Sequence, residues 1–401
     1  MIGAVTCSIS ALGCASAFDA STPAGATMAV NRFGFDLYGR IKADDQNLIC
    51  SPASAAVALS MASGGARSET EAEMLRVLHV EPTSKADSQA SFGHLLAALN
   101  GRDGKDGLIL RVSDRLWGQR GFSFESSFLD TLGGRYHAPL ERVDFAGATE
   151  QARLTINEWA AKETHDRIRN LLKAGDVDDD TRFVLTNAVY FKGAWEQPFS
   201  PRMTRDLPFA GAGGRVQVRM MAQEGTFGYT RGGGAQLLEL PYRGGLSMIV
   251  VLPDDEDGLP SVERAIGGRY DDSIAALRPA LVDLQLPRWT FSSRIELNAP
   301  LIALGMPRAF SRATADFSGM THEQALHLQT AVQAAFVDVD EVGTEAAAAT
   351  AVVGGLDSEE APRPKPIVFH ADHPFLFLIR DRATGAVLFL GRVASPAASG
   401  S

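Results

Sequence analysis

The chain has 401 residues, 45% hydrophobic and 21% charged, enough apolar material for a large core. Its net charge of −10, with no dense basic cluster, argues against general nucleic-acid binding. No apolar run reaches the roughly eighteen residues that a membrane-spanning helix needs.

Residues 1–27 read as a leader or an unstructured N-terminal segment. They contain Ala15-Ser16-Ala17, an A-x-A-like cleavage site, and an imperfect lipoprotein box ending at Cys14. No basic residue precedes Arg32, although a secretory leader normally opens with positive charge. The expected location is secreted or at the cell surface. Cys7 and Cys14 fall in this segment, so Cys50 stands alone, which predicts a buried thiol and neither a disulfide framework nor a zinc site.

The apolar spacing of Val30, Phe33, Phe35, Leu37 and Ile41 predicts a helix over 28–44. Ser51-Pro52 opens a helix of small residues that stops at Gly64-Gly65, and Ser68 is expected to cap the next, with Glu69 and Glu71 at its positive end. Residues 110–119, LRVSDRLWGQ, alternate like a strand, and 155–172 read as a helix. The run 181–195, TRFVLTNAVYFKGAW, is a strand too apolar on both faces to be an edge. Strands follow over 235–253, around a Gly-Gly turn, over 281–291, and as a pair over 373–393 joined by Arg382-Ala383-Thr384-Gly385. Helices dominate the first half and strands the second, an α+β pattern without internal repeats.

No nucleophile elbow, phosphate loop or dinucleotide fingerprint is present. In HEQALH, 322–327, the two histidines are five apart, which on a helix puts them on different faces. The chain does not read as an enzyme, and neither metal nor cofactor is expected.

Six stretches in order carry a family resemblance: 51–74, 186–199, 238–253, 315–320 (ADFSGM), 335–350 (AFVDVDEVGTEAAAAT) and 373–396. With these the chain resembles a serpin over 28–396, followed by a 397–401 tail. The resemblance implies helices packed around three β-sheets and an exposed reactive-centre loop, here about 341–366. It implies a monomer that acts on a target protease, with loop–sheet polymers as its failure mode. The protease cleaves the loop, is held as an acyl-enzyme, and is disabled when the freed segment inserts into the main sheet as a new strand.

Under that reading the hinge is Gly343, Thr344, Glu345, Ala346, Ala347, Ala348, Ala349 and Thr350. A segment that must become a central strand needs no Pro and small residues on its inward face. With Thr344 inward, Ala346, Ala348, Thr350 and Val352 share its face and Glu345 points out. About a dozen new ladder bonds at ~1 kcal/mol net each would release on the order of 10 kcal/mol. The family's spacing from the hinge glycine puts the bait bond at Asp357–Ser358. Leu356 one residue earlier is the alternative, and Arg363 lies too far along for normal insertion. Ser51, Ser54 and Asn187 match the family's polar cluster where the sheet opens. Gln333 stands where a His usually completes it, so the cluster is expected to hold without titrating. Trp195 matches the aromatic at the top of the opening.

Overall fold

A computed structural model describes residues 19–20, 22–43, 46–81, 85–211, 213–323, 325–344 and 364–396. Its helices are α1 (Pro23–Ile41), α2 (Pro52–Ser63), α3 (Ser68–Val77), α4 (Lys85–Asn100), α5 (Ser126–Tyr136), α6 (Phe145–Glu163), α7 (Leu259–Ala275) and α8 (Asn298–Leu304). The strands of the first half are β1 (Leu48–Cys50), β2 (Ile109–Gln119), β3 (Glu141–Val143), β4 (Phe183–Ala194), β5 (Arg205–Gly211), β6 (Gly214–Gly232), β7 (Ala235–Pro241) and β8 (Leu246–Pro253). Those of the second half are β9 (Arg278–Pro287), β10 (Trp289–Glu296), β11 (Thr330–Val339), β12 (Gly343–Thr344), β13 (Ile367–His370), β14 (Phe375–Asp381) and β15 (Val387–Val393).

The fold is α+β, with helices around open sheets. Hydrogen bonding links the strands into two sheets where the resemblance implies three. The reason is β6, whose 19 residues pair in succession with β5 over its start, β9 over its middle and β7 over its end, joining two smaller sheets into one. The second sheet has the order β10-β11-β12-β4-β2-β3. Helix α2 packs beneath it and α6 lies across its other face, which is why β4 is apolar on both sides. Leu185, Val189 and Phe191 belong to the core shared with α2, and Val184 and Ala188 to the cluster shared with Ile156 and Trp159 of α6.

Several boundaries differ from the sequence reading. Helix α1 starts at Pro23, inside the segment assigned to the leader, because the Thr22 hydroxyl accepts from Gly25 N at 3.1 Å and Pro23 sets the first helical dihedral. It ends at Ile41, where Lys42 turns extended. Ser68 is not the cap of α3: Arg67 occupies that position, and the Ser68 hydroxyl donates instead to Asp316 at 2.9 Å. The expected helix over 155–172 is only the tail of α6. It stops at Glu163 because His165 and Asp166 take left-handed dihedrals, and Asn157 then ties the returning chain by bonding both N and O of Leu172. The single strand expected over 281–291 breaks at Arg288. β9 stays in the first sheet while Trp289 begins β10, which pairs with β11 in the second. Cys50 is buried, and desolvation pushes its thiol up to about 12. Among the described residues no helix is long and apolar enough to cross a membrane.

Candidate functional site

The second sheet has a seam down its middle. β4 and β11 run parallel and pair directly from Thr330↔Val184 to Phe336↔Tyr190. Above that point they part, and the two residues of β12 sit between them. Thr344 pairs with Val339 of β11 on one side and with Gly193 of β4 on the other. The sheet is therefore closed along most of its length and wedged open at one end.

Midway along the closed part lies a polar cluster on the face that packs on α2. Gln333 and Asn187 face each other across the seam, and Gln333 Nε2 donates to Asn187 Oδ1 at 2.8 Å. Gln333 also clasps the start of α2, accepting from Ser51 N at 2.9 Å and donating to Ser51 O at 3.0 Å. The Ser51 hydroxyl donates to Leu388 O at 2.6 Å and accepts from Ser54 N at 3.3 Å, capping α2. Asn187 Nδ2 donates to Ser54 Oγ. Ser51, Ser54, Asn187 and Gln333 thus form one connected network, and all are buried.

The sequence reading missed one member. Asp114 is the β2 partner of Asn187, and its Oδ1 accepts from Asn187 Nδ2 and from the Ser54 hydroxyl at 3.1 Å. Its other oxygen, Oδ2, is buried with no hydrogen-bond partner among the described residues. Burial pushes the Asp114 carboxyl up to about 7, even though the bonds from Asn187 and Ser54 pull the other way. The expectation that this cluster carries no titrating group is therefore overturned. The signal was present in the sequence, since the alternation of β2 puts residue 114 on the same face as Leu110, Val112 and Leu116.

Trp195 is not part of this network. It stands eight residues beyond Asn187 in the chain, ~26 Å at strand spacing, at the mouth of the seam. Its ring stacks on Tyr242 at 4.3 Å with 12° between planes, and Phe199 meets it edge-on at 6.4 Å. The indole N–H donates to Asp340 O at 3.0 Å, and the backbone N–H donates to Val342 O at 2.9 Å. These bonds hold the tight turn by which β11 reverses into β12. Asp340 shapes the turn, its Oδ1 accepting from the N–H of Val342 and of Gly343. Gly343 is required for space, because a Cβ there would collide with the carbonyl oxygen of Gly193. Thr344 is completely buried, and its hydroxyl meets that of Tyr242 at 2.7 Å.

Glu341, a second residue the sequence reading did not single out, anchors the turn from behind. It is buried, ion-paired with Arg288 and bonded by the Thr204 hydroxyl. Burial alone would raise its carboxyl, but the bonds from Arg288 and Thr204 outweigh that and hold it below the ordinary value. Of the hinge residues, Gly343 and Thr344 are in place between the strands. Glu345, Ala346, Ala347, Ala348, Ala349 and Thr350 lie outside the described residues, as do Leu356, Asp357 and Ser358.

Comparison with known proteins agrees over the whole fold. Residues 28–396 match the family described as Serpin (serine protease inhibitor). An uncharacterized serpin-like protein of Thermococcus kodakarensis is 38% identical over 370 residues, covering 92% of this chain and 85% of that protein. The leukocyte elastase inhibitor of Xenopus laevis is 36% identical over 379 residues, covering 92% and 98%. Human thyroxine-binding globulin, solved with its hormone, is similar with a TM-score of 0.84 and 30% identity over 94% of this chain and 100% of that one. The chain is a member of the serpin family, and so a non-catalytic protein of a fold whose members inhibit proteases or bind ligands.

Proposed function

We propose that this chain is a suicide inhibitor of serine endopeptidases, with cysteine endopeptidases as a second target class. A protease cleaves the loop, becomes esterified or thioesterified to it, and is carried across the molecule as the freed strand enters the seam. The observation that supports this most is the lodging of Thr344 between β4 and β11, with the small residues of the hinge following it in the sequence. Extending that pairing residue by residue puts Ala346 opposite Phe191, Ala348 opposite Val189 and Thr350 opposite Asn187 on β4. On β11 the same count brings Thr350 opposite Gln333. Every inward position then carries a small or β-branched side chain, so the new strand meets no steric block.

The bait bond in this reading is Asp357–Ser358, with Leu356–Asp357 as the alternative. An acidic residue there would select a protease with a basic specificity pocket, and Leu356 one with an apolar pocket. The intact protein is then a kinetically held state. The Ala15-Ser16-Ala17 stretch favours action outside the cell or at its surface.

The test is incubation with proteases of both specificities, followed by denaturing electrophoresis and mass spectrometry of the loop. A covalent band at the summed mass supports the proposal. Clipped chain beside fully active protease in every case rejects it. Likeness to a globulin solved with thyroxine favours a second reading, a non-inhibitory binding protein. That reading predicts no gain in melting temperature after loop cleavage, whereas strand insertion predicts a large one.

A further inference from the structure

The polar cluster at the middle of the seam contains one ionisable group, Asp114, and its surroundings leave a charge there unsupported. From α2 it faces Ser54 and from β4 it faces Asn187, both neutral. A cavity of about 430 Å³ adjoins it, with Arg115, Tyr136, His137 and Glu163 as the other ionisable groups on its walls and none contributed by α4. Arg115 projects toward the opposite face, its guanidinium over the rings of Trp117 and Trp159. Glu163 accepts from the Ser113 hydroxyl at 2.9 Å, and Tyr136 is bonded to Ser60 at 2.8 Å. No cation pairs with Asp114 among the described residues, and its Oδ2 has no donor.

The geometry points to Asp114 as a proton-operated latch: protonated, it sits neutral in the closed sheet; ionised, it favours parting of β4 from β11. The proposal deepens the insertion reading and rests on it for its role in inhibition. Asn187 is shared between the two sides of the seam, donating to Asp114 and accepting from Gln333. Opening the seam breaks the bond to Gln333 and lets water reach the Asp114 side of the cluster. A carboxylate gains from that hydration and a neutral acid does not. The sign follows. The closed-sheet carboxyl stays protonated up to about 7, while an opened or unfolded one ionises near its ordinary value of ~4. This group's contribution to the closed sheet is complete below ~4 and is lost as pH rises through about 7. Opening therefore becomes easier by close to tenfold per pH unit between those limits and levels off above them.

The test compares wild type with Asp114→Asn, which is neutral at every pH and keeps the shape. In the wild type the melting temperature of the intact protein should fall from pH 5 to 7.5. The rate at which a synthetic peptide of residues 344–355 anneals into it should rise at least tenfold over the same range. In Asp114→Asn both curves should be flat through that window. Parallel pH curves in the two proteins overturn the latch. Should Asp114→Asn fail to fold, the wild type labelled with 13Cγ aspartate decides the matter. One carboxyl titrating near neutrality supports the latch, and all titrating below pH 5 overturns it. If the peptide anneals at no pH while melting depends on pH only in the wild type, the insertion reading fails and the titrating latch stands.

Discussion

The mouth and the middle of the seam are built on different principles. At the mouth the strands are already apart, and the gap is filled by Thr344 under a stacked Trp195–Tyr242 pair, with Glu341 tied to Arg288 and Thr204 behind the turn. In the middle the strands pair directly through their backbones, and the side-chain bond that crosses between them runs from Gln333 to Asn187, supported by Ser51, Ser54 and Asp114. Aromatic stacking and an ion pair fix a shape. Backbone and side-chain hydrogen bonds, each worth ~1 kcal/mol net, close the middle without an ion pair among the described residues. The proposed insertion would use both: a start position that cannot drift and a closure weak enough to yield.

The strongest way to break this contrast is at the start position. Thr344→Arg puts a long cation where the wild-type side chain is fully buried against Tyr242 and between two backbones. Loop cleavage should continue, while the yield of covalent protease complex on denaturing gels should fall to near zero. Full yield would mean that Thr344 does not lead the insertion. Next in size is Glu341→Ala. It removes the Arg288 and Thr204 bonds, and because Arg288 is partly exposed the loss should be ~1–2 kcal/mol in urea denaturation. With the turn loosened, loop–sheet polymers should appear on native gels after mild heating. Glu341→Gln, which can still accept from Thr204, should lose less.

The same contrast explains how much could be read from the sequence. Local signals were sufficient for the seam's walls. The unbroken apolar run of β4 required cover on both faces, and Ser51-Pro52 announced α2. Ser51, Ser54, Asn187 and Gln333 came through family resemblance, and the structure joins them in one network. Asp114 was missed because a lone Asp in an alternating strand reads as a surface residue until its phase is checked against Leu110, Val112 and Leu116. Glu341 and Arg288 were missed for another reason. They are 53 positions apart by number, and only the break between β9 and β10 brings them together. That break was itself hidden, since residues 281–291 keep a strand-like composition through Pro287. The end of α6 was overread because helix propensity continues past Glu163, while the tertiary tie from Asn157 to Leu172 stops it.

Thr350→Val separates the middle from the mouth. If the cleaved strand inserts as proposed, continuing the register of Thr344 would bring residue 350 between Asn187 and Gln333, where its hydroxyl would replace the bond those two lose. The intact protein, in which that bond is already made, should melt as wild type. The cleaved protein should lose ~1–2 kcal/mol of its added stability, because two buried amides would face a methyl group. An equal loss in both forms would place residue 350 elsewhere and shift the register.

Tyr242→Phe is the smallest perturbation and the counterpart to the last. It deletes the hydroxyl that meets Thr344 while leaving the ring stacked on Trp195. The lost bond is a neutral, buried one, so the cost should be ~1 kcal/mol. Thr344 occupies the mouth before cleavage and is expected to keep that place afterwards. Intact and cleaved proteins should therefore both drop by this amount, and the gap between their melting curves should not change. If the gap widens instead, the bond exists only in the intact protein, and the mouth is not a fixed start position but a second latch that must release before the strand can move.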